Sequence, residues 1–184
     1  MKTSIKIMLF SWLAISISCK QNNEATEVIA DENATDLSVG QSAVVDEDSK
    51  PNIVQTAIGS KDHTTLVTAL KAAGLVDALS NAGPFTVFAP TNAAFDKLPA
   101  GTVEGLLKPA KKDELENILG YHTYVGVLKT DYMQNGDEYD MVYGGKVKIT
   151  KKDDQVFVNG TPIVGSIETA NGIVHVIGDV LLPK

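Results

Sequence analysis

A run from Pro84 to Leu98, Pro-Phe-Thr-Val-Phe-Ala-Pro-Thr-Asn-Ala-Ala-Phe-Asp-Lys-Leu, constrains the fold more than any other part of this chain. Phe85, Thr86, Val87 and Phe88 are aromatic or β-branched, the side chains that fit a half-buried pleated surface, so they predict a strand. Pro90 stops that strand because it has no N–H to give a ladder. Thr91 or Asn92 is placed to cap a short helix whose apolar Ala94, Phe95 and Leu98 share one face. A strand-turn-helix unit fixes local structure without, by itself, assigning a function.

The residues on either side follow two different rhythms. Before and just after this unit, apolar residues recur at helical spacing. Asn52 can cap a segment carrying Ile53, Val54 and Ala57, and Thr64 a second carrying Leu66, Ala69, Leu70 and Ala73. Gly74 suits the left-handed stop that ends it. Thr102 is expected to cap a short segment ended by Pro109. A longer helix carries Leu115, Ile118, Leu119 and His122 at i, i+3, i+4 and i+7. From there on the runs are short and β-rich: Met141 to Tyr143, Lys146 to Thr150, Gln155 to Val158, Thr161 to Val164 and Ile173 to Leu182. Gly144-Gly145, Asp153-Asp154, Asn159-Gly160 and Asn171-Gly172 separate them, and Gly and Asn in such pairs supply the positive φ of tight turns. Helices early and antiparallel strands late predict an α+β domain, with the strand at Phe85 joining the late strands.

Thr86, Phe88, Ala89, Pro90, Thr91, Ala94, Phe95 and Leu98 match the first signature box of fasciclin-like (FAS1) domains position by position. Tyr121-His122 is similar to that family's tyrosine-histidine motif. Asn171 to Pro183, with Gly172, His175, Val180 and Leu181, resembles its second box, although Gly178 stands where the family usually has Asp. The resemblance implies a wedge of two antiparallel β-sheets flanked by several short helices from the N-terminal half. It makes the two boxes mainly structural and Tyr121 and His122 binding candidates, since that region is implicated in adhesion in matrix relatives. Animal relatives contact integrins through an Asp-Ile pair, which aligns here with Ser166 and Ile167 and makes these two the other binding candidates. The carboxylate is missing, and a chain with no arginine has no Arg-Gly-Asp either, so integrin recognition does not carry over. What the resemblance implies is a surface-displayed interaction or cell-adhesion module, whose partner is an extracellular or envelope protein or polysaccharide. The alternative is a carrier of a hydrophobic small ligand, carotenoid-like, held between sheet and helices.

The N-terminal third reads as addressing and tether. Lys2 and Lys6, an apolar run from Ile7 to Ile17 and Ser18 before Cys19 have the layout of a secretory signal over residues 1–18. Cys19 is the only cysteine in the chain. Its position resembles that of the lipidated first residue of a bacterial lipoprotein, which implies an exported protein of the cell envelope, anchored by lipid to a bacterial membrane. Residues 19–50 are acidic, hold no aromatic and cannot bury enough surface to offset chain entropy, so they read as a flexible tether. The Asp31 to Asp36 cluster lacks the spacing and the glycine of a calcium loop. Residues 51–184 are then one fasciclin-like domain held by its core alone, because no disulfide is available within it.

Chemistry is sparse. The full chain carries a net charge of −7 and no arginine, which disfavours nucleic acid as a partner. His63, His122 and His175 are far apart in sequence and show no metal-ligand spacing. Strand alternation puts His175 on the face of Ile173 and Ile177, where a hydrogen-bonded core role is expected. No nucleophile elbow, phosphate loop or zinc-protease signature occurs. The expectation is a protein that is not an enzyme and needs no cofactor.

Overall fold

The computed structural model describes residues 50–183. The expected signal segment 1–18, Cys19 and the expected tether up to residue 49 lie outside the described residues. Helix α1 (Ile53–Ile58) begins at a reciprocal capping box. Asn52 Oδ1 accepts the Gln55 N–H at 2.8 Å, and Gln55 Oε1 accepts the Asn52 N–H at 2.9 Å. Helix α2 (Thr64–Ala73) ends as expected at Gly74, whose φ of 74° is the left-handed conformation glycine adopts freely. Its start differs from expectation. Thr64 lies inside the helix, and His63 at the cap position makes no side-chain cap bond. The acceptor comes from elsewhere in the chain: Asn92 Oδ1 takes the Thr65 N–H at 3.0 Å, while Asn92 Nδ2 donates to the Lys61 carbonyl. Helices α3 (Val76–Ser80), α4 (Asn92–Phe95) and α5 (Thr102–Leu106) are single turns or little more. Gly101, in the left-handed region, precedes α5 where Thr102 was expected to cap it. Helix α6 (Lys112–Tyr121) buries Leu115 and Leu119 as its spacing predicts.

The strands are β1 (Phe85–Pro90), β2 (Thr123–Val125), β3 (Glu138–Asp140), β4 (Lys146–Lys152), β5 (Gln155–Val158), β6 (Thr161–Thr169) and β7 (Gly172–Ile177). They form one seven-stranded sheet in the order β2-β1-β7-β6-β5-β4-β3. The fold class is α+β. Two features differ from the expected pair of antiparallel sheets. The sheet is continuous, with a register shift in β6 between Ile163 and Gly165. It is also mixed, since β1 runs parallel to β7 with Phe88 opposite His175. Parallel neighbours require a long crossover, and three α-helices, a 3-10 turn (Pro109–Lys111) and five strands separate β1 from Gly172. The strand expected at Met141 to Tyr143 moves upstream to β3. Those three residues do not alternate: Met141 is buried, while Val142 and Tyr143 are exposed on a turn through Gly144 and Gly145.

Both faces of the β1/β7 pair are covered, as parallel strands require. On one face Val87, Ala89 and Val174 pack with Ile53, Leu66, Leu70, Leu79, Leu115 and Leu119 of the helices. On the other, Phe88 and Ile177 pack with Val147, Ile149, Val156, Val158 and Ile163 of the hairpins, and with Met133 from a loop. The two strands approach closely at Gly172, where a Cβ would lie 1.9 Å from the Phe85 carbonyl oxygen.

Candidate functional site

The two boxes and the tyrosine-histidine pair converge on β1 and β7. Thr86 Oγ1 donates to the Gly126 carbonyl at 2.7 Å and accepts the Leu128 N–H at 2.9 Å, fixing the chain that leaves β2. Asn171 Oδ1 accepts the Ile53 N–H at 3.0 Å, and its Nδ2 donates to the Leu79 and Asn81 carbonyls. One side chain so ties α1 and α3 to the start of β7. The Thr91 N–H donates to the Ile177 carbonyl at 3.3 Å, joining the first box to the second. Ala89, Pro90 and Ala94 are buried alongside, whereas Phe95 and Leu98 are half-buried. Where Gly178 departs from the family pattern, Lys97 Nζ donates to both the Gly178 carbonyl at 2.8 Å and the Asp179 carboxylate at 2.6 Å.

Each histidine sits in a different network. In His122 the Nδ1–H donates to the Ile118 carbonyl at 2.7 Å, which leaves Nε2 to accept the Leu181 N–H at 3.0 Å. Both bonds together require the neutral ring, and burial pushes its pKa down to about 4 against the weaker opposing pull of the Ile118 carbonyl. His175 is fully buried and stacks on Phe88 with ring centroids 5.5 Å apart. Its Nε2–H donates to the Leu128 carbonyl at 2.6 Å and its Nδ1 accepts the Ser166 hydroxyl at 2.7 Å, while burial lowers its pKa. His63 has its Nδ1 2.8 Å from Ser60 Oγ, and its Nε2 is buried without a hydrogen-bond partner. Burial lowers its pKa too, opposed by Asp62 and the Ala89 carbonyl. Among the described residues no group of three or more His, Cys, Asp or Glu could hold a metal ion.

Tyr121 and His122 are each only 3% exposed, so both side chains are largely enclosed by the fold. Tyr121 OH donates to the Lys146 carbonyl at 2.8 Å and accepts Asn159 Nδ2 at 3.0 Å. Their position at the end of α6 fixes the start of β2: the His122 carbonyl accepts the Phe88 N–H at 2.9 Å. Ser166 and Ile167 do not form one patch. Neighbours on a strand point to opposite faces, and Ser166 is turned toward His175 while Ile167 is exposed on the other side. Along the chain beyond the buried pair come exposed apolar residues: Val125 on the edge strand, then Val127 and Tyr132, the last 76% exposed. The alternation of β2 points to Val125, but nothing local in the sequence singles out Tyr132.

A cavity of about 680 Å³ lies among α4, α5, α6 and the C-terminal residues after β7. Leu115, Leu119 and His122 border it from α6, Phe95 and Leu106 from α4 and α5, and Val180 and Leu182 from the C-terminal tail. Lys108 and Lys111 are the only cations among the described lining residues. Its position is among the helices, with only Pro90 contributed by the sheet, rather than between sheet and helices.

The fasciclin domain model matches residues 61–183. Protein sll1483 of Synechocystis sp. is 42% identical over 186 residues, covering 100% of this chain and 99% of that protein. The cell surface glycolipoprotein MPB83 of Mycobacterium bovis is 39% identical over 126 residues, 65% of this chain and 55% of that protein. The transforming growth factor-beta-induced protein ig-h3 of Sus scrofa is 39% identical over 126 residues, 68% of this chain but only 18% of that protein. Among solved structures, the FAS1 domain pair of the insect cell adhesion molecule fasciclin I matches with a TM-score of 0.63. That match has 16% identity and covers 72% of this chain and 51% of that one, so it speaks for the fold alone. Among the described residues no helix is long and apolar enough to cross a membrane.

Proposed function

This chain belongs to the fasciclin domain family, and from that premise we propose that it is a non-enzymatic, extracytoplasmic interaction module of the cell-adhesion kind. Its similarity to a cell surface glycolipoprotein supports display at a surface. Residues 1–18 would direct export, Cys19 would carry the lipid anchor, and residues 19–50 would hold the domain away from the membrane. The observation that carries the reading is the exposed apolar set Val125, Val127 and Tyr132, which follows directly on the buried Tyr121-His122 pair. Aromatic side chains in such sets supply most of the energy at protein interfaces. The buried pair acts through this surface: it anchors the start of β2, and β2 with the loop beyond presents the contacts to an envelope or extracellular protein or polysaccharide. A carrier role is the second reading, favoured by the cavity beside α5.

Beads coated with the full chain should retain cells or matrix more than beads coated with a heat-denatured control. Tyr132→Ala should lower retention severalfold with unchanged circular dichroism. Equal retention by the variant removes this surface from the proposal. Acyl labelling in cells should mark the wild type and leave Cys19→Ser unmarked; equal labelling of the two removes the anchor.

A further inference from the structure

Phe95, Leu106 and Leu107 pack in part against the helix-side core, and the cavity leaves the rest of their apolar surface uncovered. Phe95, Leu98, Val103, Leu106, Leu107 and Ile118 all border it, and none of them is fully buried. Helix α5 buries no residue at all, although Val103 and Leu106 point its apolar side chains at the cavity. Apolar surface kept against water is unfavourable, and an apolar occupant relieves it. A volume near 680 Å³ falls within the range of about 300–1,000 Å³ of small-ligand sites. Among the bordering side chains His122 has both ring nitrogens already engaged, so it offers an occupant no hydrogen bond. The charged lining is uneven. Among the described residues Glu114 is its only acid and is held by Lys111 at 2.5 Å, while Lys108 makes no ion pair with any of them.

We propose that this cavity binds a long-chain carboxylate, with its hydrocarbon among Phe95, Leu106, Leu115 and Ile118 and its carboxylate at Lys108. A neutral polyene would use the apolar lining and leave Lys108 without a role; an acyl chain with an anionic head matches both. This inference rests on the cavity alone, so it stands or falls independently of adhesion. Gly105 supplies the test. It borders the cavity, and a Cβ built there meets nothing within 4 Å. A large side chain at this bordering position starts free of steric clash and is expected to fill the space.

The experiment uses the full chain carrying Cys19→Ser, so that no acyl group of its own competes. Displacement of a fluorescent polyene fatty acid is measured with oleate, oleyl alcohol and β-carotene as competitors. Oleate is expected to compete saturably at one site per chain and better than the other two. Gly105→Trp should abolish binding with the melting temperature held, and Gly105→Leu replaces it if tryptophan disturbs melting. Lys108→Gln should weaken oleate about threefold to fivefold, the scale of an exposed ion pair, and leave oleyl alcohol unchanged. Absence of saturable oleate binding, binding undiminished by the filled cavity, or oleyl alcohol or β-carotene competing as well as oleate would each overturn the proposal.

Discussion

The hairpin-side core and the α5 layer treat apolar residues in opposite ways. Around β1, β7 and the hairpins, Phe88, Val147, Ile149, Val158 and Ile177 have no exposed surface, and the polar groups among them are bonded. Helix α5, between Gly101 and the Pro109 turn, buries nothing and borders a cavity instead. The first region is close-packed and intolerant of change; the second has room. The contrast separates what the chain spends on being folded from what it leaves available for binding.

Truncation at the packed side should show the largest effect. Phe88→Ala removes a side chain with no exposed surface and the partner of the His175 ring. The expected loss is about 3–5 kcal/mol in denaturant unfolding, and a loss below about 1 kcal/mol would erase the contrast. Acid should come next. The native pKa of His122 near 4 lies below the ordinary value of 6.5, so the unfolded chain binds the extra proton between them. Stability is then full above about pH 6.5 and falls as pH drops toward 4, by about 3 kcal/mol from this group. His63 and His175, also lowered, act in the same direction. Unfolding midpoints that stay constant over that window would show that His122 is not held neutral by the fold.

His175→Ala leaves the Ser166 hydroxyl and the Leu128 carbonyl without their partner. It should cost about 1–3 kcal/mol, and adhesion should fall only as far as the folded fraction does. On the other side of the comparison, Leu106→Ala removes a half-buried side chain from a cavity that already exists. Calorimetry should show a change of less than about 1 kcal/mol. A loss as large as that of Phe88→Ala would mean that the α5 layer is packed core after all. Smallest of all, Gly105→Ala should raise the melting temperature slightly. Alanine is favoured over glycine in a helix by up to about 1 kcal/mol, and open space surrounds the new methyl.

Fold class, element types and most punctuation marks were legible because they are set within a few residues. Asn52 and Gln55 cap each other three positions apart. Gly74 stops α2, and Asp153, Asp154, Asn159 and Gly160 take the positive φ their turns need. The motif spelling was enough for the family, which the comparisons show. The candidate site was less legible. Sequence placed Tyr121 and His122 at a helix end but could not say that both side chains turn inward, nor find Tyr132, Lys108 or the cavity.

What tertiary structure alone decided are relations between residues distant along the chain. Asn92 caps a helix 27 residues upstream, Asn171 holds carbonyls 90 and 92 residues away, and His122 reaches Leu181 across 59. The parallel pairing of β1 with β7 is of the same kind. Periodicity and capping record which face of an element is apolar and where it ends, since dihedral preferences and nearest-neighbour hydrogen bonds act locally. They carry no record of which two faces meet. That is decided by packing the whole chain at once, and packing is also what closes the core around Phe88 and leaves the space beside α5 open.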